Sequence, residues 1–203
     1  MPQGPVPSKI GKRPPPFGSQ TLIALGSNLS SEFGDPASTL KYAVDALGRA
    51  GAVIRAVSRF YATPAFPSGA GPDYVNAAVL VASDWSAQDT LVQLHVIEAA
   101  AGRERMQRWG QRTLDMDLIA IGDQIFPDEN AHLLWRNLPV DMQKMRTPDQ
   151  LVLPHPRVQD RAFVLVPLAD VAPDWRHPIL GLSVRQMRDA LPKAQLDAVK
   201  ALE

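Results

Sequence analysis

The sequence predicts an α+β protein in which one antiparallel sheet is covered by helices and a helical extension follows at the C-terminus. Short runs of β-branched and small apolar residues alternate with segments of helical periodicity, and Gly, Pro and Asn separate them. The segments follow the order β-α-β-β-α-β, which is the ferredoxin-like, or split β-α-β, arrangement. This arrangement places both main helices on one face of the sheet, so we expect the loops and the functional site on the other.

The first half of this order begins with a buried strand over 21–25 that ends at Gly26. Asp35 and Pro36 then predict the N-cap and first turn of a helix. A second strand is predicted over 52–61, where small and β-branched residues alternate. The apolar residues at helical spacing between these strands are Leu40, Ala43, Val44 and Leu47.

The second half repeats the pattern. A strand is predicted over 74–82, and Ser86 with Asp89 predicts a capping box for a helix over 87–101. A fourth strand follows over 114–121. The remaining predicted segments are an irregular excursion over 127–150, an extended piece over 151–154, and helices over 161–169 and 183–190.

Length and composition indicate one globular domain over 21–203, preceded by a disordered tail over 1–20. The chain has 203 residues, of which 45% are hydrophobic, and this suffices for an ordinary core. The tail is rich in Pro and Gly and has little apolar surface to bury. Cysteine is absent from the sequence, which excludes disulfides, thiolate metal sites and cysteine nucleophiles.

The net charge of zero gives no support to general attraction for nucleic acid or for acidic membranes. The N-terminal segment contains no apolar stretch of the kind found in signal peptides, and no run is long enough to suggest a membrane span. We therefore expect a soluble, cytoplasmic protein whose partners are small molecules. We expect a monomer, with a dimer as the alternative.

The most informative stretch is the predicted fourth strand. Because side chains alternate between the faces of a strand, Asp115 and Asp117 point to one face and Met116 and Leu118 to the core. Two neighbouring carboxylates repel each other, and a hard divalent cation offsets that repulsion. Magnesium is the best candidate, because it commonly takes one or two carboxylates and completes its shell with water and phosphate oxygens. For an isolated Asp-x-Asp pattern, a solvated strand face with two ordinary acids is the alternative.

A basic segment directly precedes the two acids. Its arginines can bind phosphate oxygens bidentately, and Trp109 can cover a bound substrate. The alternative is a surface loop that forms salt bridges with its own strand. The arginines of this segment are Arg103, Arg105, Arg108 and Arg112.

Other common catalytic motifs are absent from the sequence. It contains no GxxxxGK[ST] phosphate-binding loop, no GxGxxG after a strand and no His-Glu-x-x-His. Ser27 has no candidate base nearby in sequence and does not lie on a nucleophile elbow.

Taken together, the motifs resemble the 6-hydroxymethyl-7,8-dihydropterin pyrophosphokinase family, over about 22–177. The sequence departs from the family pattern at Gln111, at His95 and in the length of 127–150. The residues that carry the resemblance are Ala24-Leu25-Gly26-Ser27-Asn28, Phe60-Tyr61-x-Thr63-Pro64, Pro72-Asp73-Tyr74-Val75-Asn76-Ala77-Ala78, Ile97-Glu98, Gly102-Arg103, Arg108-Trp109-Gly110, Arg112-Thr113-Leu114-Asp115-x-Asp117, Pro154-His155-Pro156 and Arg161-x-Phe163-Val164-Leu165-x-Pro167-Leu168.

The resemblance implies that Asp115 and Asp117 hold two magnesium ions. It further implies catalytic roles for Arg103 and Arg112 at the phosphates, with Trp109 on a loop that closes over nucleotide and pterin. The other implied nucleotide contacts are Glu98, His155 and Arg161. The implied pterin contacts are Thr63, Phe66, Tyr74, Asn76 and Phe163. A flat heterocycle binds well between aromatic faces, although Tyr74 and Phe163 taken alone would also suit core positions.

The implied reaction is transfer of pyrophosphate from ATP to the hydroxymethyl group, with release of AMP. Charge neutralisation and positioning would supply most of the catalysis. Three alternatives remain: a regulatory module that binds a small ligand, a metal-dependent phosphohydrolase, and an RNA-binding module. Zero net charge and the absence of an RNP-like aromatic strand weigh against the last of these.

Overall fold

A computed structural model describes residues 19–65, 71–102, 113–139, 142 and 146–203. Its strands are β1 (Ser19–Ser27), β2 (Val53–Val57), β3 (Tyr61–Thr63), β4 (Tyr74–Ser83), β5 (Asp115–Ile121) and β6 (Lys200–Ala201). Its helices are α1 (Pro36–Arg49), α2 (Ala87–Ala100), α3 (Glu129–Arg136), a 3₁₀ turn (Val158–Asp160), α4 (Ala162–Val171), α5 (Val184–Asp189) and α6 (Lys193–Asp197). Of the predicted tail over 1–20, residues 1–18 lie outside the described residues, whereas Ser19 and Gln20 belong to β1.

The strands form an antiparallel sheet in the order β5-β1-β4-β3-β6, and β2 pairs with a further stretch of β4. The long strands β1 and β4 are central, so each has hydrogen-bonded neighbouring strands on both sides. This confirms the predicted α+β class with an antiparallel sheet and helices.

One face of the sheet packs against α1 and α2. Ile23 and Val79 of the sheet share a buried cluster with Leu40 and Leu47 of α1 and Leu94 of α2. Both helices begin where the sequence predicts: Asp35 accepts a hydrogen bond from the backbone of Ser38, and Ser86 and Asp89 form the predicted capping box. These caps satisfy amide groups that the first turn of a helix leaves without partners.

The opposite face is more extensively covered than we predict. Helices α4 and α5 pack on it through Leu165, Leu168 and Met187, against Leu22 and Ile119 of the sheet. As far as the described residues go, these helices leave the end of this face beyond them for a site. The apolar stretch 163–168 explains this packing, because so much apolar surface is stabilised by burial.

Two segments differ from the prediction. The second strand is split into β2 and β3, because the hydroxyl of Ser58 accepts the Ala78 amide in place of a ladder partner. The predicted irregular excursion over 127–150 contains the helix α3, whose N-cap Asp128 accepts a hydrogen bond from the Ala131 amide. Residues 140–141 and 143–145 of that excursion lie outside the described part.

Candidate active site

A row of residues crosses the sheet at the open end of its second face. Asp115 is paired with Gly26, Gly26 with Asn76, and Asn76 with Tyr61. Directly paired residues of neighbouring strands point to the same face. The neighbouring pairs Asp117–Ala24 and Ala24–Ala78 place this face as the one covered by α4. At the usual strand spacing, Asp115 and Asn76 are about 10 Å apart.

The two aspartates alternate with core residues as the strand period predicts. Met116 and Leu118 are buried against α1 and α2, whereas Asp115 and Asp117 are half-buried on the other face. Arg161 Nη1 lies 3.3 Å from Asp117 Oδ2, so one carboxylate has a cationic neighbour from the start of α4. In the described part of the chain, no group of three or more metal-ligating side chains comes together. A cation here would therefore draw on carboxylates plus ligands from its substrate or from water.

Glu98 lies beneath the acidic strand. It is 1% exposed, and its Oε1 accepts the amide of Met116 at 2.8 Å. This bond joins α2 to the backbone between the two aspartates. The residue that the family resemblance assigns to the nucleotide pocket thus also fixes the strand that carries the acids.

His155 reaches the site from the loop that follows the extended piece. Its backbone amide donates to Ile119 at 2.7 Å, and its Nδ1 accepts the Arg157 amide at 3.1 Å. Burial lowers the pKa of His155 well below its usual value, and the nearby Arg161 and Arg157 add to that effect. The ring is therefore neutral with its proton on Nε2, which makes Nε2 a hydrogen-bond donor toward a ligand.

The predicted pterin residues separate into a polar pair and an aromatic pair. Asn76 is 5% exposed, and its Nδ2 donates to Thr63 Oγ1 at 2.7 Å, which fixes the amide plane. Tyr74 pairs with Thr63 across the sheet. Phe163 is 41% exposed, and the guanidinium of Arg161 lies 5.7 Å from its ring centroid. An aromatic ring exposed to this extent is not a core residue.

Several predicted residues cannot be placed. They lie outside the described residues, and they are Phe66, Arg103, Arg105, Arg108, Trp109 and Arg112.

Sequence reasoning misses two contacts that join loops to the sheet. Ser27 Oγ donates to the carbonyl of Thr113 at 2.6 Å, and Asn28 Nδ2 donates to the carbonyl of Pro72 at 3.2 Å. These bonds tie the end of β1 to the residue before Leu114 and to the residue before Asp73. No local pattern predicts them, because their partners are distant in sequence.

A second missed group joins α4 to β3. Asp170 accepts hydrogen bonds from Tyr61 Oη at 2.7 Å and from Arg59 Nη2 at 2.9 Å. Burial alone would raise the pKa of Asp170, but these hydrogen bonds outweigh it and lower the pKa. Burial and the same carboxylate raise the pKa of Tyr61 to about 12. The contact fixes the helix that carries Phe163 relative to the strand that carries Thr63.

We expect Asp170→Ala to lower the free energy of unfolding by about 1–3 kcal/mol, because the buried phenol of Tyr61 would lose its acceptor. Asp174→Ala is the matched control. Asp174 lies 3.8 Å from Arg185 with 87% of its side chain exposed, and loss of an exposed pair of this kind costs well under about 1 kcal/mol. Urea unfolding of both variants measures the difference, and equal losses would contradict the role of Asp170.

The family described as 7,8-dihydro-6-hydroxymethylpterin-pyrophosphokinase (HPPK) matches residues 22–173. The chain is 35% identical over 167 residues to the 2-amino-4-hydroxy-6-hydroxymethyldihydropteridine pyrophosphokinase of Synechocystis sp., covering 82% of this chain and 73% of the relative. It is 36% identical over 160 residues to the protein of the same name from Pseudomonas aeruginosa, covering 78% and 84%.

The fold is similar to that of the crystal structure of wild-type Plasmodium falciparum HPPK-DHPS. The TM-score is 0.59 at 14% identity, over 85% of this chain and 44% of that chain. At this identity the likeness concerns the fold alone, and this chain spans less than half of the solved one. Among the helices of the described part, none is both long and apolar enough to cross a membrane. The family match and the bacterial relatives confirm the resemblance that the sequence motifs indicate: the chain belongs to the 7,8-dihydro-6-hydroxymethylpterin-pyrophosphokinase family.

Proposed function

We propose that this chain transfers pyrophosphate from ATP to the hydroxymethyl group of 6-hydroxymethyl-7,8-dihydropterin, with release of AMP, as a step in folate biosynthesis. The row that joins Asp115, Gly26 and Asn76 across one sheet face carries the proposal. It sets a pair of acids and a fixed amide about 10 Å apart on one surface. This separation suits a substrate with a heterocycle at one end and a reacting oxygen at the other.

The amide end of the row takes the pterin. Asn76 and Thr63 present hydrogen-bonding groups to the edge of the heterocycle, since an amide offers both donors and an acceptor. Tyr74 and the exposed Phe163 supply aromatic faces, and Phe66 belongs to the same pocket by family resemblance. The polar pair selects the orientation of the ring and the aromatic pair supplies most of the contact area.

The acidic end of the row takes the triphosphate with magnesium. Asp115 and Asp117 fit a hard cation, because they offer carboxylate oxygens on one strand face. By family resemblance we propose two ions here. Magnesium, when bound, neutralises charge on the phosphates and favours loss of the proton from the attacking hydroxyl.

The nucleotide lies between these acids and the segment around the 3₁₀ turn, which has His155 before the turn and Arg161 directly after it. The neutral His155 donates through Nε2, and Arg161 supplies a positive charge beside Asp117. By family resemblance Glu98 also belongs to this pocket, and its bond to the Met116 amide holds the strand that carries the two acids. Arg103 and Arg112 contact the phosphates, and Trp109 closes over both substrates, by family resemblance.

In the reaction, the hydroxymethyl oxygen attacks the β-phosphorus of ATP. The new bond joins this oxygen to the β-phosphorus, the bond between the β-phosphorus and the oxygen bridging to the α-phosphate breaks, and AMP leaves with the electron pair. The hydroxyl proton is released. The residues on the sheet act mainly by holding the two substrates in line.

The sheet order supports a ferredoxin-like classification as well. β2 and β3 both pair with β4 and together take the place of one edge strand, and β1 and β5 take the remaining positions. We propose that 21–203 forms one such domain, although β1 begins two residues earlier, at Ser19.

The proposal predicts that AMP and the pyrophosphorylated pterin form in equal amounts when the protein is mixed with ATP, magnesium and the hydroxymethyl pterin. Chromatography of the nucleotides measures this. ADP in place of AMP would contradict pyrophosphate transfer. AMP formation without pterin would favour the phosphohydrolase, and pterin binding without any nucleotide product would favour the ligand-binding module.

A further inference from the structure

The row across the sheet has one position without a side chain, and it lies between the two substrate ends. Gly26 separates Asp115 on one side from Asn76 on the other. Its neighbours two residues away in sequence, Ala24 in the strand and Asn28 just after it, both carry side chains. Any atom that extends from the amide end to the acidic end on this face has to pass over Gly26.

The conformation of Gly26 does not itself require glycine. Among the glycines that the structure describes, those with positive φ are Gly34, Gly51, Gly102, Gly122 and Gly181, and Gly26 is not one of them. It lies in regular strand pairing with both neighbours. In such a strand a glycine makes the protein less stable than an alanine would, because glycine loses more conformational freedom on folding and has no side chain to pack.

The space above Gly26 is limited by the amide of Asn76. A Cβ atom built on Gly26 would lie 3.3 Å from Asn76 Oδ1, which is closer than side chains normally approach. Asn76 cannot easily give way, because its Nδ2 is bonded to Thr63 Oγ1 at 2.7 Å. A side chain at position 26 would thus narrow the passage and disturb the amide at the same time.

We infer that Gly26 is a specificity-determining residue, whose missing side chain leaves the passage through which the hydroxymethyl arm of the pterin reaches the acidic pair. This inference rests on the proposed function. The arm carries one carbon and one oxygen beyond the ring, so it lies close to the sheet between Asn76 and Asp115. A methyl group on Gly26 occupies that volume.

The experiment is a comparison of Gly26→Ala with the unaltered protein. We expect the KM for the hydroxymethyl pterin to rise by about tenfold, because an added methyl group in a filled space forces the bound groups apart. The Kd for a non-hydrolysable ATP analogue with magnesium should change by less than about twofold, since the nucleotide end of the site keeps its residues. A merely structural effect of the substitution would weaken both ligands together.

Gly48→Ala is the matched control. Gly48 lies in α1 with no atom within 4 Å of the added Cβ, and alanine in a helix is more stable than glycine by about 1 kcal/mol. This variant should keep both constants. An unchanged pterin KM in Gly26→Ala, with activity present in the unaltered protein, would overturn the role of Gly26. Absence of activity from the unaltered protein would instead contradict the proposed function.

If Gly26→Ala fails to bind the ATP analogue, its fold is disturbed. A second pair of variants then tests the role of Gly26. Asn76→Ser removes the amide that a methyl group at position 26 would meet. Calorimetry would compare pterin binding to Asn76→Ser with and without Gly26→Ala, in the presence of the ATP analogue. About tenfold weaker binding by the double variant supports the passage, and equal binding overturns it.

Discussion

Asp117→Asn is expected to reduce turnover by on the order of 10²–10³-fold while the protein remains folded. The Asp117 carboxylate lies beside Arg161 on the sheet face that α4 covers. Charge stabilisation by a bound cation contributes several kcal/mol to phosphoryl transfer. Asparagine has nearly the same shape but only a neutral oxygen to offer. Asp115→Asn should have an effect of the same order, because Asp115 is the other acid on this face.

The free energy of unfolding of these variants shows whether a loss of turnover comes from the reaction or from a loss of folded protein. Two carboxylates on one strand face repel each other, but Arg161 Nη1, at 3.3 Å from Asp117, already offsets part of that repulsion. We therefore expect Asp117→Asn to change the free energy of unfolding by less than about 1 kcal/mol. Steady-state release of AMP and urea unfolding measure the two quantities.

Asp123→Asn is the control for this pair of variants. Asp123 is exposed just beyond the far end of β5, so its loss should leave turnover within about twofold of the original. Near-normal activity in both Asp115→Asn and Asp117→Asn would exclude the cation-holding role.

The acidic face could be predicted from the sequence because it depends on a local rule. Side chains alternate along a strand, and the alternation of Met116 and Leu118 with the two aspartates is visible in four consecutive residues. The helix caps at Asp35 and Ser86 are equally local. The alignment of Asp115, Gly26 and Asn76 could not be predicted in the same way, because it depends on the register between β1 and two strands that are distant in sequence.

The helix α3 shows the opposite case. Its cap at Asp128 is a local signal, but the helix has only 8 residues, and so short a helix is stabilised mainly by tertiary packing. One residue that it contacts, His177, lies in the C-terminal extension. The sequence contains both members of that contact, His132 and His177, but no pattern that relates them.

These two histidines form a buried pair. Both rings are fully buried, and their centroids are 5.4 Å apart in an edge-to-face arrangement. His132 belongs to α3, and the turn after His177 leads to α5. This ring contact therefore packs α3 against the C-terminal extension.

The hydrogen bonds of His177 fix its protonation state. Its Nδ1 accepts the backbone amides of Ile179 at 3.2 Å and Leu180 at 3.3 Å. An Nδ1 that accepts cannot carry a proton, so the single proton of the neutral ring lies on Nε2. Protonation of the ring would place a second proton on Nδ1 and break both bonds.

The surroundings of the two histidines also favour the neutral form of each ring. Burial lowers the pKa of His177 to about 4, and His132 and Arg136 add to the effect. Burial, followed by Arg136, also lowers the pKa of His132, against the weaker influence of the Pro154 carbonyl and of Glu129. Both rings are therefore neutral near pH 7.

We expect the free energy of unfolding to fall as the pH falls from 6.5 towards 4. In that range the unfolded chain binds a proton at His177 and the folded chain does not, so stability rises with pH. A pKa lowered from 6.5 to about 4 corresponds to a loss of about 3 kcal/mol in the free energy of unfolding. This loss is complete below pH 4 and absent above pH 7. Urea unfolding between pH 4 and pH 7 measures the loss, with carboxylates contributing a background.

The His177→Asn variant isolates the histidine from that background. An asparagine side-chain oxygen can accept the same two amides, as in an Asx turn, but it does not titrate between pH 4 and pH 7. We expect this variant to have lower stability at pH 7, because the smaller side chain leaves a cavity, and a flatter dependence on pH. His95→Asn, at an exposed position of α2, should keep the steep dependence of the original protein. An equal slope in all three proteins would show that His177 does not control the loss of stability in acid.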